Sequence, residues 1–121
     1  MADRDDVDGF LPLPASVMHV LVALADGEKH GYAIMRDVTE LSGGAVRMGS
    51  GTLYGSIKRM PEQGLIEETE ERPDPALDDQ RRRYYRLTAL GRRVGAAENA
   101  RLATLVDAAT MRRLGLQGGA T

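Results

Sequence analysis

Arginine dominates one stretch of this 121-residue chain. From Arg81 to Arg93 there are six arginines (81, 82, 83, 86, 92 and 93) and no carboxylate, with Tyr84 and Tyr85 between them. A guanidinium stays charged at any physiological pH, and its planar fork meets phosphate oxygens or a guanine edge two atoms at a time. The run therefore carries the chemistry of anion recognition. A second set lies upstream, in Ser50 and the stretch Gly51-Thr52-Leu53-Tyr54-Gly55-Ser56-Ile57-Lys58-Arg59-Met60. At 100° per residue Leu53, Ile57 and Met60 share one helical face, and Thr52, Gly55, Lys58 and Arg59 lie opposite. Two cations, a hydroxyl and small glycines on an outward face suit close approach to a polyanion. In that role Thr52, Lys58 and Arg59 face base edges, while Ser50 and Tyr54 face phosphate oxygens. Arg81, Arg82 and Arg83 add sequence-independent affinity. Tyr32 is grouped with this set, its ordinary alternative being packing between helices.

Covalent chemistry has little to work with. The chain has no cysteine and two histidines, His19 and His30. His19 falls in an apolar helical stretch, and His30 opens another helix, where a structural or capping role suits it. Ser50 and Ser56 have no visible base partner. Gly49-Ser50-Gly51 lacks the Lys-Ser/Thr that completes a phosphate loop. Glu67, Glu68, Glu70 and Glu71 read as a solvated strand edge. No catalytic residue, metal site or cofactor is assigned.

The elements that must position the two basic sets can be read from periodicity. Residues 1–12, with Asp3, Asp5, Asp6 and Asp8, read as a disordered acidic arm. Pro14 opens a first helix carrying Leu13, Val17, Val20, Leu21 and Leu24 on one face, with Met18 and Val22 on another. A second helix is expected over Gly31–Leu41, stopped by Ser42-Gly43-Gly44. Ser50 caps a third. Pro61 predicts a kink or stop near Met60, with Gly64 closing the turn. Leu65–Arg72 and Arg81–Leu87 read as a strand pair with a long tip, Tyr85 and Leu87 facing the core. Thr88 caps a long last helix over which Leu102, Leu105, Val106 and Ala109 form an apolar stripe. Met111, Leu114 and Leu116 extend it to Gly118-Gly119. That stripe and the second face of the first helix, Met18 and Val22, could cover each other across a two-fold axis.

The fold class is therefore mainly α with a small antiparallel β-hairpin: a winged helix-turn-helix followed by a C-terminal dimerisation helix. The expected divisions are an arm at 1–12, a DNA-binding domain at 13–87 and a dimerisation helix at 88–117. The net charge of −2 argues against nucleic acid only if charge is averaged; local field is what attracts a polyanion. No apolar run approaches the ~20 residues of a membrane span. The absence of cysteine gives no sign of an oxidising compartment, so a cytoplasmic location and no membrane partner are expected.

The ordered motifs His30-Gly31-Tyr32, Gly51-Thr52-Leu53-Tyr54, Gly64-Leu65-Ile66 and Arg82-Arg83-Tyr84-Tyr85-Arg86-Leu87-Thr88 with Gly91 resemble the PadR family of bacterial transcriptional regulators over about residues 15–110. The resemblance implies a homodimer that binds double-stranded DNA and usually represses at a palindromic promoter site. Some relatives take aromatic ligands between tryptophans near the dimer interface. This chain has no Trp, so any small-molecule effector is unassigned. The rival reading is a protein-interaction module on the same scaffold, favoured by the acidity of the arm and first strand.

Overall fold

The computed structural model describes residues 7–46, 50–69, 72–73 and 81–115, with the side chains of 50–54, 72–73 and 81–82 outside that description. Three helices come first: α1 (Ala15–Leu24), α2 (Gly31–Leu41) and α3 (Ser50–Glu62). A two-residue strand, β1 (Lys29–His30), precedes α2. Strands β2 (Ile66–Glu68), β3 (Arg72–Pro73), β4 (Arg81–Arg82) and β5 (Tyr84–Leu87) follow α3, and α4 (Ala89–Met111) closes the order. Helices and a small hairpin in this sequence are the winged helix-turn-helix arrangement.

The core comes from the inward stripes of all four helices. Val20, Leu21 and Leu24 of α1 meet Ile34 and Val38 of α2, Ile57 and Met60 of α3, Leu65, Ile66, Tyr85, and Val94 of α4. Lys29 pins the α1–α2 corner. Its Nζ donates to the Ala23 carbonyl at 2.6 Å and to Asp26 at 2.5 Å, with Asp37 at 3.4 Å. Burial works against the Lys29 charge, but the hydrogen bond and charge of Asp26, joined by Asp37, hold its pKa above the ordinary lysine value.

The expected hairpin is part of something larger. β5 is central to a three-stranded antiparallel sheet in the order β1-β5-β2, with Lys29 opposite Tyr85 and Glu67 opposite Arg86. β3 and β4 pair separately at the tip, Arg72 opposite Arg82. A two-residue strand carries no period-2 signal, which is why β1 escapes a sequence reading.

Three further expectations need correction. The arm does not run to residue 12: Val7 is buried in the core, Phe10 and Leu11 pack against it, and residues 1–6 lie outside the description. Apolar groups at 7, 10 and 11 have helical spacing, and their burial outweighs the surrounding aspartates. Pro61 does not stop α3 at Met60; the helix carries it to Glu62. Proline forfeits its own N–H bond at any such position, but here only Glu62 follows it in the helix, so little helix lies beyond the disturbance. The end carbonyls are recovered there by Gly64 N–H to Pro61 and Leu65 N–H to Met60, with Gly64 at φ +81°. Finally, α4 stops at Met111 rather than running to 117. Arg113 turns left-handed at φ +70°, and Leu114 N–H returns to the Ala109 carbonyl at 2.8 Å, which ends the helix; Leu116, Gly118 and Gly119 lie outside the description.

The junction between sheet and α4 is tight. Thr88 caps α4 by accepting from Gly91 N–H at 2.9 Å, and its hydroxyl also reaches the Gly64 and Leu65 carbonyls. A Cβ at residue 91 would stand 1.9 Å from the Leu65 carbonyl oxygen. Gly91→Ala must therefore push α4 off the strand. It is expected to cost about 3 kcal/mol or more, read as a lower urea midpoint at unchanged m-value.

Deeper along α4, Glu98 is only 2% exposed yet carries a carboxylate. Arg101 clasps it with two bonds, Nε at 2.7 Å and Nη2 at 2.8 Å. The Arg101 hydrogen bonds lower the Glu98 pKa against the opposing effect of burial, and the Arg101 charge and a backbone hydrogen bond from Leu13 lower it further. A depressed carboxylate stabilises the fold above the unfolded pKa of about 4.3 and loses that contribution as pH falls through the folded value. Glu98→Gln is expected to be less stable than wild type at neutral pH and to converge on it under acid. Urea unfolding across pH 2.5–7 checks this, and a constant difference between the two curves would contradict it.

Candidate nucleic-acid interface

One cation from each basic set, Lys58 and Arg83, lines a common groove. Helix α3 and the sheet enclose an open cleft of about 450 Å³ lined by Ile57, Lys58, Pro61, Glu68, Arg83 and Tyr85. Ile57 and Tyr85 form its buried floor, and Lys58 and Arg83 stand exposed at its edges. The cause is the extended run that leads into β5. Tyr85 faces the core, so Arg83, two residues earlier, projects on the same side toward α3. Arg86 projects from the other face, where it pairs with Glu67 directly opposite at 2.6 Å.

Arg83 is not a bare cation. Its Nε lies 3.1 Å from Glu68 Oε2, with 64% of the Arg83 and 42% of the Glu68 side chain exposed. Glu68 pairs with Tyr85, so Arg83 is its diagonal neighbour on that face. Reading β2 as a solvated edge missed this partnership; setting Glu67 opposite Arg86 would have revealed it.

The other residues of the set fall in several places. Arg59 is exposed, but on a different side of α3. Its Nη1 lies 3.6 Å from where a Cβ at Gly55 would stand, and it lines a separate pocket with Phe10, Leu13 and Ser56. Ser56 is buried. Ser50, Thr52 and Tyr54 occupy the first turns of α3, and Arg81 and Arg82 form β4; these five side chains lie outside the described residues. Tyr32 is half-exposed in the first turn of α2. Its ring lies 6.5 Å from that of His30, which in turn meets Tyr84 edge-on at 5.6 Å. His30 caps α2, its Nδ1 accepting from Ala33 N–H at 3.1 Å. His19 Nδ1 lies 2.7 Å from the Ala15 carbonyl within its own helix.

A second groove, about 360 Å³, runs between α1 and α4 and is lined by Met18, Leu21, Val22, Leu87, Gly95 and Ala96 among others. Beyond it the outer half of α4 leaves apolar groups in water: Leu105 is 57% and Val106 60% exposed, as is 42% of Val22 on α1. Leu102 and Ala109 are half-buried. Among the described residues no group of three or more His, Cys, Asp or Glu could hold a metal ion, and no helix is long and apolar enough to cross a membrane.

The family model described as "Transcriptional regulator PadR-like family" matches residues 20–97. The chain is similar to an uncharacterized 37.1 kDa protein in transposon TN4556 of Streptomyces fradiae, 41% identical over 75 residues, which make up 62% of this chain and 19% of that protein. It is also similar to the transcriptional regulator Rv3488 of Mycobacterium tuberculosis, 37% identical over 75 residues, covering 62% of this chain and 64% of that protein. The chain thus spans less than two thirds of either relative. Among solved structures, Bacillus subtilis PadR in complex with operator DNA superposes with a TM-score of 0.61 at 21% identity, covering 75% of this chain and 48% of that one.

Proposed function

The chain belongs to the PadR-like family of transcriptional regulators, matched over residues 20–97, and on that premise we propose that it is a homodimeric, sequence-specific DNA-binding repressor acting in the cytoplasm at a palindromic promoter site. The observation that carries the reading is the shared groove of Lys58 and Arg83, which puts a cation of α3 and a cation of the wing on one concave surface. In this reading α3 enters the major groove. Its N-terminal half, with Ser50, Thr52 and Tyr54, lies deepest, and Lys58 and Arg59 flank the backbone or base edges. The wing residues Arg81, Arg82 and Arg83 follow the adjacent phosphates, and Tyr32 supports the approach from α2.

Two kinds of contact have separable signatures. Arg82→Ala/Arg83→Ala is expected to weaken binding to every duplex and to lower the slope of log K against log salt by about 2. Lys58→Ala or Thr52→Ala is expected to change which sequences are selected from a random duplex pool. A wing variant with wild-type affinity and slope would overturn the assignment. A wild-type protein showing no salt-sensitive duplex binding would leave the protein-interaction module as the better reading.

The homodimer is supported by the uncovered apolar surface of α1 and α4. Met18 and Val22 line the groove between these helices, and Leu102, Leu105, Val106 and Ala109 supply the stripe that a second copy would cover. Two recognition helices would then meet successive major grooves about 34 Å apart. Leu105→Asp/Val106→Asp is expected to yield a folded monomer in analytical ultracentrifugation, with unchanged helical circular dichroism and weakened binding to the palindrome. A variant that stays dimeric would remove this stripe from the interface.

A further inference from the structure

Two described cations of the wing each meet a carboxylate of β2: Arg83 meets Glu68 at 3.1 Å and Arg86 meets Glu67 at 2.6 Å. Exposed pairs of this kind contribute little to stability, typically ~0–1 kcal/mol, so folding energy is a poor reason for their presence. Their positions differ in a way that matters. Glu68 lines the α3–wing groove together with Lys58 and Arg83, whereas Glu67 and Arg86 lie on the opposite sheet face. The groove side chains at Lys58, Arg83 and Glu68 thus sum to one positive charge rather than two.

We infer that Glu68 is an affinity-setting residue of the DNA interface: it shares the Arg83 guanidinium and subtracts charge where a phosphate would sit, holding binding to any duplex below what the wing could reach. The inference rests on the DNA-binding reading above. Its physical basis is local. A phosphate entering the groove meets the Glu68 carboxylate beside the two cations and must draw Arg83 from an existing partner. A carboxylate on the far face is screened by the intervening sheet edge and by salt over about 8–10 Å. Because the effect falls on a phosphate contact, it changes affinity without changing which bases are read. It also opposes the wing's counterion release, so it holds down the salt slope as well as the affinity.

The test compares Glu68→Gln with Glu67→Gln, two near-isosteric changes that alter net charge equally. At about 0.1–0.15 M salt, binding to random-sequence duplex should tighten about 3- to 10-fold for Glu68→Gln, the scale of one charge removed at several ångströms in a high-dielectric setting. The salt slope should steepen, and the sequences selected from a random pool should stay the same. Glu67→Gln should gain distinctly less. In an Arg83→Ala background the Glu68→Gln gain should shrink, because part of it comes from releasing that guanidinium. Equal gains for Glu67→Gln and Glu68→Gln would assign the effect to net charge and overturn the inference. Weaker binding by Glu68→Gln would overturn it in favour of a carboxylate that aims Arg83 at its target. If wild type binds duplex with a steep salt dependence that Arg82→Ala/Arg83→Ala flattens, but Glu68→Gln matches wild type, this inference fails and the DNA-binding reading stands. If wild type binds no duplex, both fall.

Discussion

A close approach between α4 and the end of β2's lead-in segment organises the molecule. Thr88 holds the Gly64 and Leu65 carbonyls through its hydroxyl and caps α4 through Gly91 N–H, and residue 91 has no room for a side chain against Leu65. Gly64 and Leu65 are also the residues whose N–H groups close α3. One small cluster of backbone groups therefore joins the end of α3, the start of the wing and the root of the last helix. Because these bonds lie between buried or half-buried groups, none can be exchanged for water without loss. The relative position of Lys58 on α3 and Arg83 beside β5 follows from it.

On this frame electrostatics work by placement rather than amount. The net charge is only −2, yet Glu67 and Glu68 stand on β2, Asp26 and Asp37 at the α1–α2 corner, and Arg81, Arg82, Arg83 and Arg86 along the return strand. The same carboxylates differ in consequence. Asp26 and Asp37 tie down Lys29. Glu98, enclosed by Arg101 and a Leu13 backbone bond, fastens the segment before α1 to α4. Glu68 sits in the open groove, where its charge is seen by whatever enters.

Much of the architecture was legible in residue order because local signals agreed with the tertiary solution. The bounds Gly31–Leu41, the Thr88 cap and the inward Tyr85 and Leu87 each follow from a capping residue or a period. What escaped had weak or conflicting local signals. β1 is too short for a period. Val7, Phe10 and Leu11 were outvoted by neighbouring aspartates. Pro61 was given its mid-helix penalty at a position in the last turn. Glu98 reads as surface until Arg101 and Leu13 arrive around it. In the groove, helix periodicity set Lys58 on the outward face of α3, and strand alternation set Arg83 on the face it shares with Tyr85 and Leu87. That Arg59 diverges from Lys58, and that Glu68 partners Arg83, depends on how α3 lies across the sheet, which no local pattern encodes.

The rooting of α4 has a mechanical corollary. Its base is clamped at Thr88 and Gly91 and braced again at Glu98, while the portion beyond Arg101 stands largely clear of the rest of the chain. From Gly91 to Met111 the helix is about 30 Å long, so a tilt of about 5° at its root sweeps the tip through about 2.6 Å. A stiff rod anchored beside the end of α3 behaves as a lever. A small rotation at the root becomes a sizeable displacement at the tip, and whatever grips the tip acts back as a torque on the end of α3.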